Sequence, residues 1–184
     1  MTDADTAQSL PQEREDWFFG VGRYDEDRRG MYESDLFAVE NPEEQRTVHV
    51  GIDLDGPVGT PVHAFFDGMV HSVGYNAPLG DYGNVIVIEH SLPRSDRVVY
   101  ALYGHLDGTV VQNWTVGQFV RKGQVIAGMG APFENGGWKI PHVHFQLSVQ
   151  KPETHDLPGA VAPKDRSKAL YEYPDPRYIF GELY

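Results

Sequence analysis

The sequence predicts an all-β domain, a sandwich or open barrel of antiparallel strands with an irregular N-terminal segment and a C-terminal tail. Three observations lead there. Runs of strand length recur in which β-branched and apolar residues alternate with polar ones. Glycines at positions such as 74, 83, 104, 117, 123 and 128 punctuate those runs. No long stretch carries the 3.6-residue apolar period of an amphipathic helix.

Taken in order, residues 1–16 are polar and acidic and are expected to form a loose lead. Residues 17–46 mix the aromatics Trp17, Phe18, Phe19, Tyr24, Tyr32 and Phe37 with charge and glycine, which predicts an irregular segment pinned on the body. The β domain is expected over 47–150. Within it, residues 62–66 and 69–73 flank Asp67-Gly68, a pair suited to a type I′ hairpin. That hairpin would set His63 and His71 on facing strands. Further strands are predicted over 84–90, 97–103, 124–127 and 142–149, with Val120 in a short one. Residues 151–184 form the tail, where 164–171 reads as a short helix ended before Pro174.

Composition removes several classes of function. The formal charge of −12 repels a phosphate backbone, and Arg28-Arg29 and Arg121-Lys122 are only pairs, so nucleic acid is set aside. The absence of cysteine removes disulfides, thiolate metal sites and cysteine nucleophiles. Any metal must then be held by imidazole and carboxylate, which turns attention to the eight histidines. The start lacks a basic region and an apolar run, and no later stretch is apolar enough to span a bilayer. These features predict no membrane insertion and a cytoplasmic location, unless a leader is missing from the sequence.

The histidines group into short patterns. In a strand, His142 and His144 point to one face about 6.6 Å apart at the backbone, so both can reach one site. His49 and Asp53 would sit roughly 13 Å apart in a straight strand, too far for one metal, but Gly51 supplies a bend. His105 closes an apolar strand. Together these offer three metal ligands and two spare imidazoles, the usual content of a catalytic metal site with an open position. Spacing alone leaves open which histidine does which job. His90 and His155 read as surface histidines, Asp67 and Asp81 as turn residues, and Glu134 as a solvated loop carboxylate. Tyr103 and Trp138 are the candidates for walls of a substrate groove.

The ordered blocks carry a resemblance. His49-x-Gly51-x-Asp53 is followed by Gly59-Thr-Pro-Val62, Asp67-Gly-x-Val70, Gly83-Asn-x-Val-x-Ile88-x-His90 and Tyr103-x-His105-Leu106. Then come Val116-Gly-Gln-x-Val120 and His142-x-His144-Phe145. Over roughly 47–149 the chain resembles the lysostaphin-type (LytM-like) zinc endopeptidases. The resemblance implies one zinc per chain, with His49, Asp53 and His144 as ligands. It also implies His142 as the general base, His105 as its partner near the scissile carbonyl, and a glycine- or D-alanine-containing peptide of peptidoglycan type as substrate. The chain departs from the pattern in a longer loop over 130–141 and in Gln146, which stands where a glutamate is usual. It also resembles a peptidase-like segment of intracellular aminotransferase fusion proteins, through residues 22–28 and 134–138. Alternative readings are a non-catalytic zinc- or peptide-binding module, an intracellular hydrolase of a small amide, and a swinging-arm carrier. The carrier lacks a modifiable lysine at a hairpin tip.

Overall fold

Strands form where the alternating runs lie, and the computed structural model describes residues 19–32, 35–37, 39–93 and 97–184. In chain order they are β1 (Val21–Gly22), β2 (Val48–His49), β3 (Ile52–Asp55), β4 (Pro61–His63), β5 (Gly68–Asn76), β6 (Gly83–Ser91) and β7 (Val98–Leu106). Helix α1 (Thr109–Asn113) precedes β8 (Phe119–Val120), β9 (Val125–Gly128), β10 (His142–Ser148) and β11 (Ala160–Val161). Two short helices follow, α2 (Arg166–Glu172) and α3 (Arg177–Phe180).

One seven-stranded sheet runs β1-β3-β10-β7-β6-β5-β8, and every adjacent pair in it is antiparallel. Two small ribbons, β11 with β2 and β4 with β9, complete the all-β body. Alternation sorts β10 into two faces. Val143, Phe145 and Leu147 join Ile86, Ile88, Ala101 and Tyr103 in the main core, which the β4–β9 residues Val62 and Ala127 cover. Ile86, Ile88 and Phe145 are almost fully buried, and each such side chain contributes roughly 1.5–3 kcal/mol. His142, His144, Gln146 and Ser148 take the other face and are buried too. There Val85, Val87 and Leu102 pack with Leu157 from the C-terminal segment. The sheet is thus covered on both sides around its centre.

The hairpin predicted at Asp67-Gly68 does not form. Strand β4 pairs with β9, and β5 pairs with β6 and β8. Residues 64–67 instead carry the chain from the ribbon to the large sheet. A side chain at Gly68 would put its Cβ 2.6 Å from the Glu89 carbonyl, so the residue serves a close approach of backbones. The Asp67 carboxylate accepts from the Lys122 N–H at 2.7 Å, tying the crossover to the β8–β9 turn. His63 and His71 consequently lie on different sheets, bonded to the Gly123 and Pro152 carbonyls.

The lead is stitched to the body wherever it is described. Asp25 N–H donates to the His49 carbonyl at 2.8 Å, and His49 N–H donates to the Glu26 carbonyl at 2.9 Å. Tyr32 and Phe37 are buried against each other, Tyr24 is half-buried, and Phe19 is exposed. Trp17, Phe18 and the acidic residues 1–16 lie outside the described residues. Among the described residues, no helix is long and apolar enough to cross a membrane.

Candidate metal and active site

Three chain segments meet on the second face of the sheet. The β3–β10 register puts His144 opposite Asp53. His49 ends β2 in the small ribbon, and Val50-Gly51 turns the chain into β3. Gly51 makes the meeting possible: a Cβ there would lie 2.4 Å from His144 Cε1 and 2.9 Å from the Phe145 carbonyl oxygen. With the ring seated over that glycine, His49 Nε2 and His144 Nδ1 are 3.1 Å apart. Asp53 Oδ1 lies 2.9 Å from His144 Nδ1 and 3.3 Å from His49 Nε2.

Hydrogen bonds behind the rings fix which nitrogens face inward. His49 Nδ1–H donates to the Arg23 carbonyl at 2.8 Å, leaving Nε2 with a bare lone pair. Gln146 Nε2 donates to the Pro158 carbonyl, which turns its Oε1 toward His144 Nε2 at 3.0 Å. That acceptor requires a proton on Nε2 and leaves His144 Nδ1 bare. Two imidazole lone pairs and a carboxylate oxygen thus converge with no proton among them. The arrangement is repulsive unless a cation sits between the three. Donors 2.0–2.1 Å from a tetrahedral metal lie about 3.3 Å from one another, so this set fits such an ion.

His105 and His142 stand beside the three. His105 has φ 60°, a left-handed conformation rare for a residue with a side chain and costing of order 1–3 kcal/mol. The β6–β7 register shifts there, between Asn84 and Ile86, and this bulge lets Tyr103 and Leu106 both face the core while His105 turns to the site. Its Nδ1–H donates to the Asn135 carbonyl at 2.8 Å, and His142 Nδ1–H donates to the Ile140 carbonyl at 2.8 Å. Both rings therefore offer a bare Nε2, with centroids 4.3 Å apart. Trp138 stands edge-on to both at 5.8 Å. The five residues and Trp138 line a cavity of about 790 Å³, walled on one side by the lead and on another by residues 156–160.

Burial governs the charges. It pushes His105 well below the ordinary histidine range, helped by His142 and His144 nearby, and it lowers His144 as well. Burial also opposes the Asp53 charge, yet a proton on the facing side of His49 or His144, or a cation in its place, holds its carboxyl well below the usual range. Tyr32 is pushed up to about 12, chiefly by burial. Burial thus favours the neutral forms of His105 and His144 beside the Asp53 carboxylate.

Residues 47–156 match the model of Peptidase family M23. The chain belongs to that family. It is 31% identical over 131 residues to the peptidoglycan DD-endopeptidase ShyC of Vibrio cholerae, across 69% of this chain and 27% of that protein. It is 30% identical over 122 residues to the DD-carboxypeptidase/endopeptidase Mpg of Neisseria meningitidis, across 66% of this chain and 25% of that protein. The chain thus spans about a quarter of the length of these relatives. Among solved structures, the catalytic domain of the prophage-encoded M23 protein EnpA from Enterococcus faecalis shares the fold. Its TM-score is 0.50 at 24% identity, covering 79% of this chain and 89% of that one.

Within this M23 domain several side chains sit elsewhere than the sequence predicts. Tyr103, expected on the groove wall, faces the core, 2% exposed with its ring 5.0 Å from Phe145. Tyr103 keeps the core face it shares with Val99 and Ala101, and the bulge after it turns His105 alone to the site. His90, expected at the surface, is fully buried against Phe65 and donates Nδ1–H to the Asp67 carbonyl. Glu134 is not free in its loop: its carboxylate accepts from the Gly108 and Ala131 N–H groups. Conversely, Arg28 and Asn135, marked in the sequence only as members of the stretches 22–28 and 134–138, border the site, and so does Tyr82, which no sequence signal marks. Gln146 could have been placed there by period two alone, since it follows His144 on the same strand face.

Proposed function

We propose that the chain is a zinc-dependent endopeptidase that holds one Zn²⁺ through His49 Nε2, Asp53 Oδ1 and His144 Nδ1. Its proposed substrates are peptides with glycine or D-alanine beside the scissile bond, of the peptidoglycan type. The observation that carries the reading is the convergence of three unprotonated donors, 2.9–3.3 Å apart, beside two histidines with bare Nε2 atoms. The donor set of two imidazoles and a carboxylate suits zinc. Zinc so held would supply a Lewis acid to the peptide carbonyl and to an attacking water. The substrate class rests on membership of the M23 family and on the names of the relatives.

The protein's own groups then divide the work. His142 Nε2, anchored from behind by the Ile140 carbonyl, takes the proton of the attacking water. The proton passes from His142 to the leaving amine as the C–N bond breaks, and His105 Nε2, one ring away, is placed to share it on the way. Trp138 keeps bulk water from both rings. The test compares two neighbouring histidines. His144→Ala removes a ligand and should lose zinc, whereas His142→Ala should retain about one zinc per chain and lose roughly a hundredfold or more in rate. Zinc lost from His142→Ala but kept in His144→Ala would exchange the two roles. Full activity of both variants on glycyl and D-alanyl peptides would end the peptidase reading.

A further inference from the structure

Arg28 belongs to the lead, yet its guanidinium touches the proposed ligand set directly. Nη1 donates to Asp53 Oδ2 at 2.7 Å, and the side chain is 7% exposed. The same nitrogen reaches Tyr32 Oη at 3.3 Å, and Nε donates to Glu26 Oε2 at 2.9 Å. The backbone is pinned as well, Arg28 N–H donating to the Thr47 carbonyl at 2.7 Å. Gly22, opposite Asp53 in the β1–β3 register, leaves the room: a Cβ there would lie 2.3 Å from Arg28 Nη2 and 2.6 Å from Asp53 Oδ2. The ion pair is thus built from two parts of the lead, a glycine that makes space and an arginine that fills it.

The two oxygens of Asp53 consequently have different fates. Oδ1 faces both imidazoles, and Oδ2 is taken by a buried charge-assisted hydrogen bond. A carboxylate whose second oxygen is free can rotate and bind a metal through both oxygens. We propose that Arg28 is a positioning residue that confines Asp53 to one-oxygen coordination and so holds the metal at low coordination number. The inference rests on the metal-site reading above.

Cobalt(II) in place of zinc reads coordination number through its visible absorption, which is intense for four-coordinate and weak for five- or six-coordinate ions. The native chain carrying one cobalt should absorb strongly. Arg28→Ala at the same cobalt content should lose severalfold in intensity, while Arg28→Lys, which keeps a cation beside Oδ2, should recover most of it. Full intensity in cobalt-loaded Arg28→Ala would overturn the proposal. Should that variant fail to fold, X-ray absorption at the zinc edge of the native chain decides instead. A first shell of four light atoms near 2.0–2.1 Å supports it, and a longer second oxygen from a two-oxygen carboxylate overturns it. A native chain that takes up neither ion would refute the metal reading itself, a result distinct from either outcome for Arg28.

Discussion

Two buried histidines outside the proposed ligand set, His90 and His105, make the domain sensitive to acid. Burial lowers both below the ordinary histidine range. Among the described residues His90 Nε2 has no hydrogen-bond partner, so a proton there would be an uncompensated buried charge. An unfolded chain takes up protons at both rings below about pH 6.5, while the folded chain does so only at lower pH. The unfolded state therefore binds more protons as pH falls through that value, and stability declines with it. In metal-stripped protein the melting temperature should hold steady above about pH 7 and drop between about pH 6.5 and 5. A melting temperature that rose on acidification would contradict the buried neutral state of these rings. Replacing His90 by Phe should flatten part of the slope.

The loop between β9 and β10 shows how one element aims others. Asn135 is fully buried and its side chain does the work of a turn: Oδ1 accepts from the Gly137 and Trp138 N–H groups, and Nδ2 donates to the Gly130 and Trp138 carbonyls. Its own carbonyl receives His105 Nδ1–H. Asn135→Ala should cost about 2–3 kcal/mol, since buried loop groups lose their partners. It should also lower kcat/KM, because the loop that aims the Asn135 carbonyl at His105 and holds Trp138 loses its side-chain bracing. A denaturation midpoint equal to that of the native chain would count against this role. Elements also mark where sequence reading succeeds. Strands over 84–90, 97–103 and 142–149 were legible from period two, and they fall inside β6, β7 and β10 to within a residue or so. The Asp67-Gly68 turn was a local signal overridden by the close approach at Gly68. His90 was misplaced because β6 is covered on both faces, where alternation no longer separates inside from outside. Helices α1 and α3 are too short to show a period.

At the scale of the molecule, the proposed site is assembled from segments far apart in the chain. The motifs around His49, His105 and His144 were readable because each is local. The stretch 22–28 stood out, but the contact of Arg28 with Asp53 did not, because it spans 25 positions. A centre shared by so many segments couples metal to folding. Zinc at a hundred times its dissociation constant adds about 2.7 kcal/mol, or about 5–10 °C for a chain of this length. Thermal melts of stripped protein with and without zinc should show that shift in the native chain and none in His144→Ala. Equal melting temperatures in the native chain would mean the ion is not held by the folded state.

Strand β1 has one more consequence, for how a peptide can dock. The rim of a sheet is a template, where an incoming extended chain can extend the main-chain ladder. On the β3 side that template is already used at the positions that matter, with Val21 seated on Leu54 and Gly22 on Asp53. An extended peptide finds no vacant rungs beside Asp53. Strand addition is closed there, and whatever is gripped near that carboxylate must be gripped across the face of the sheet.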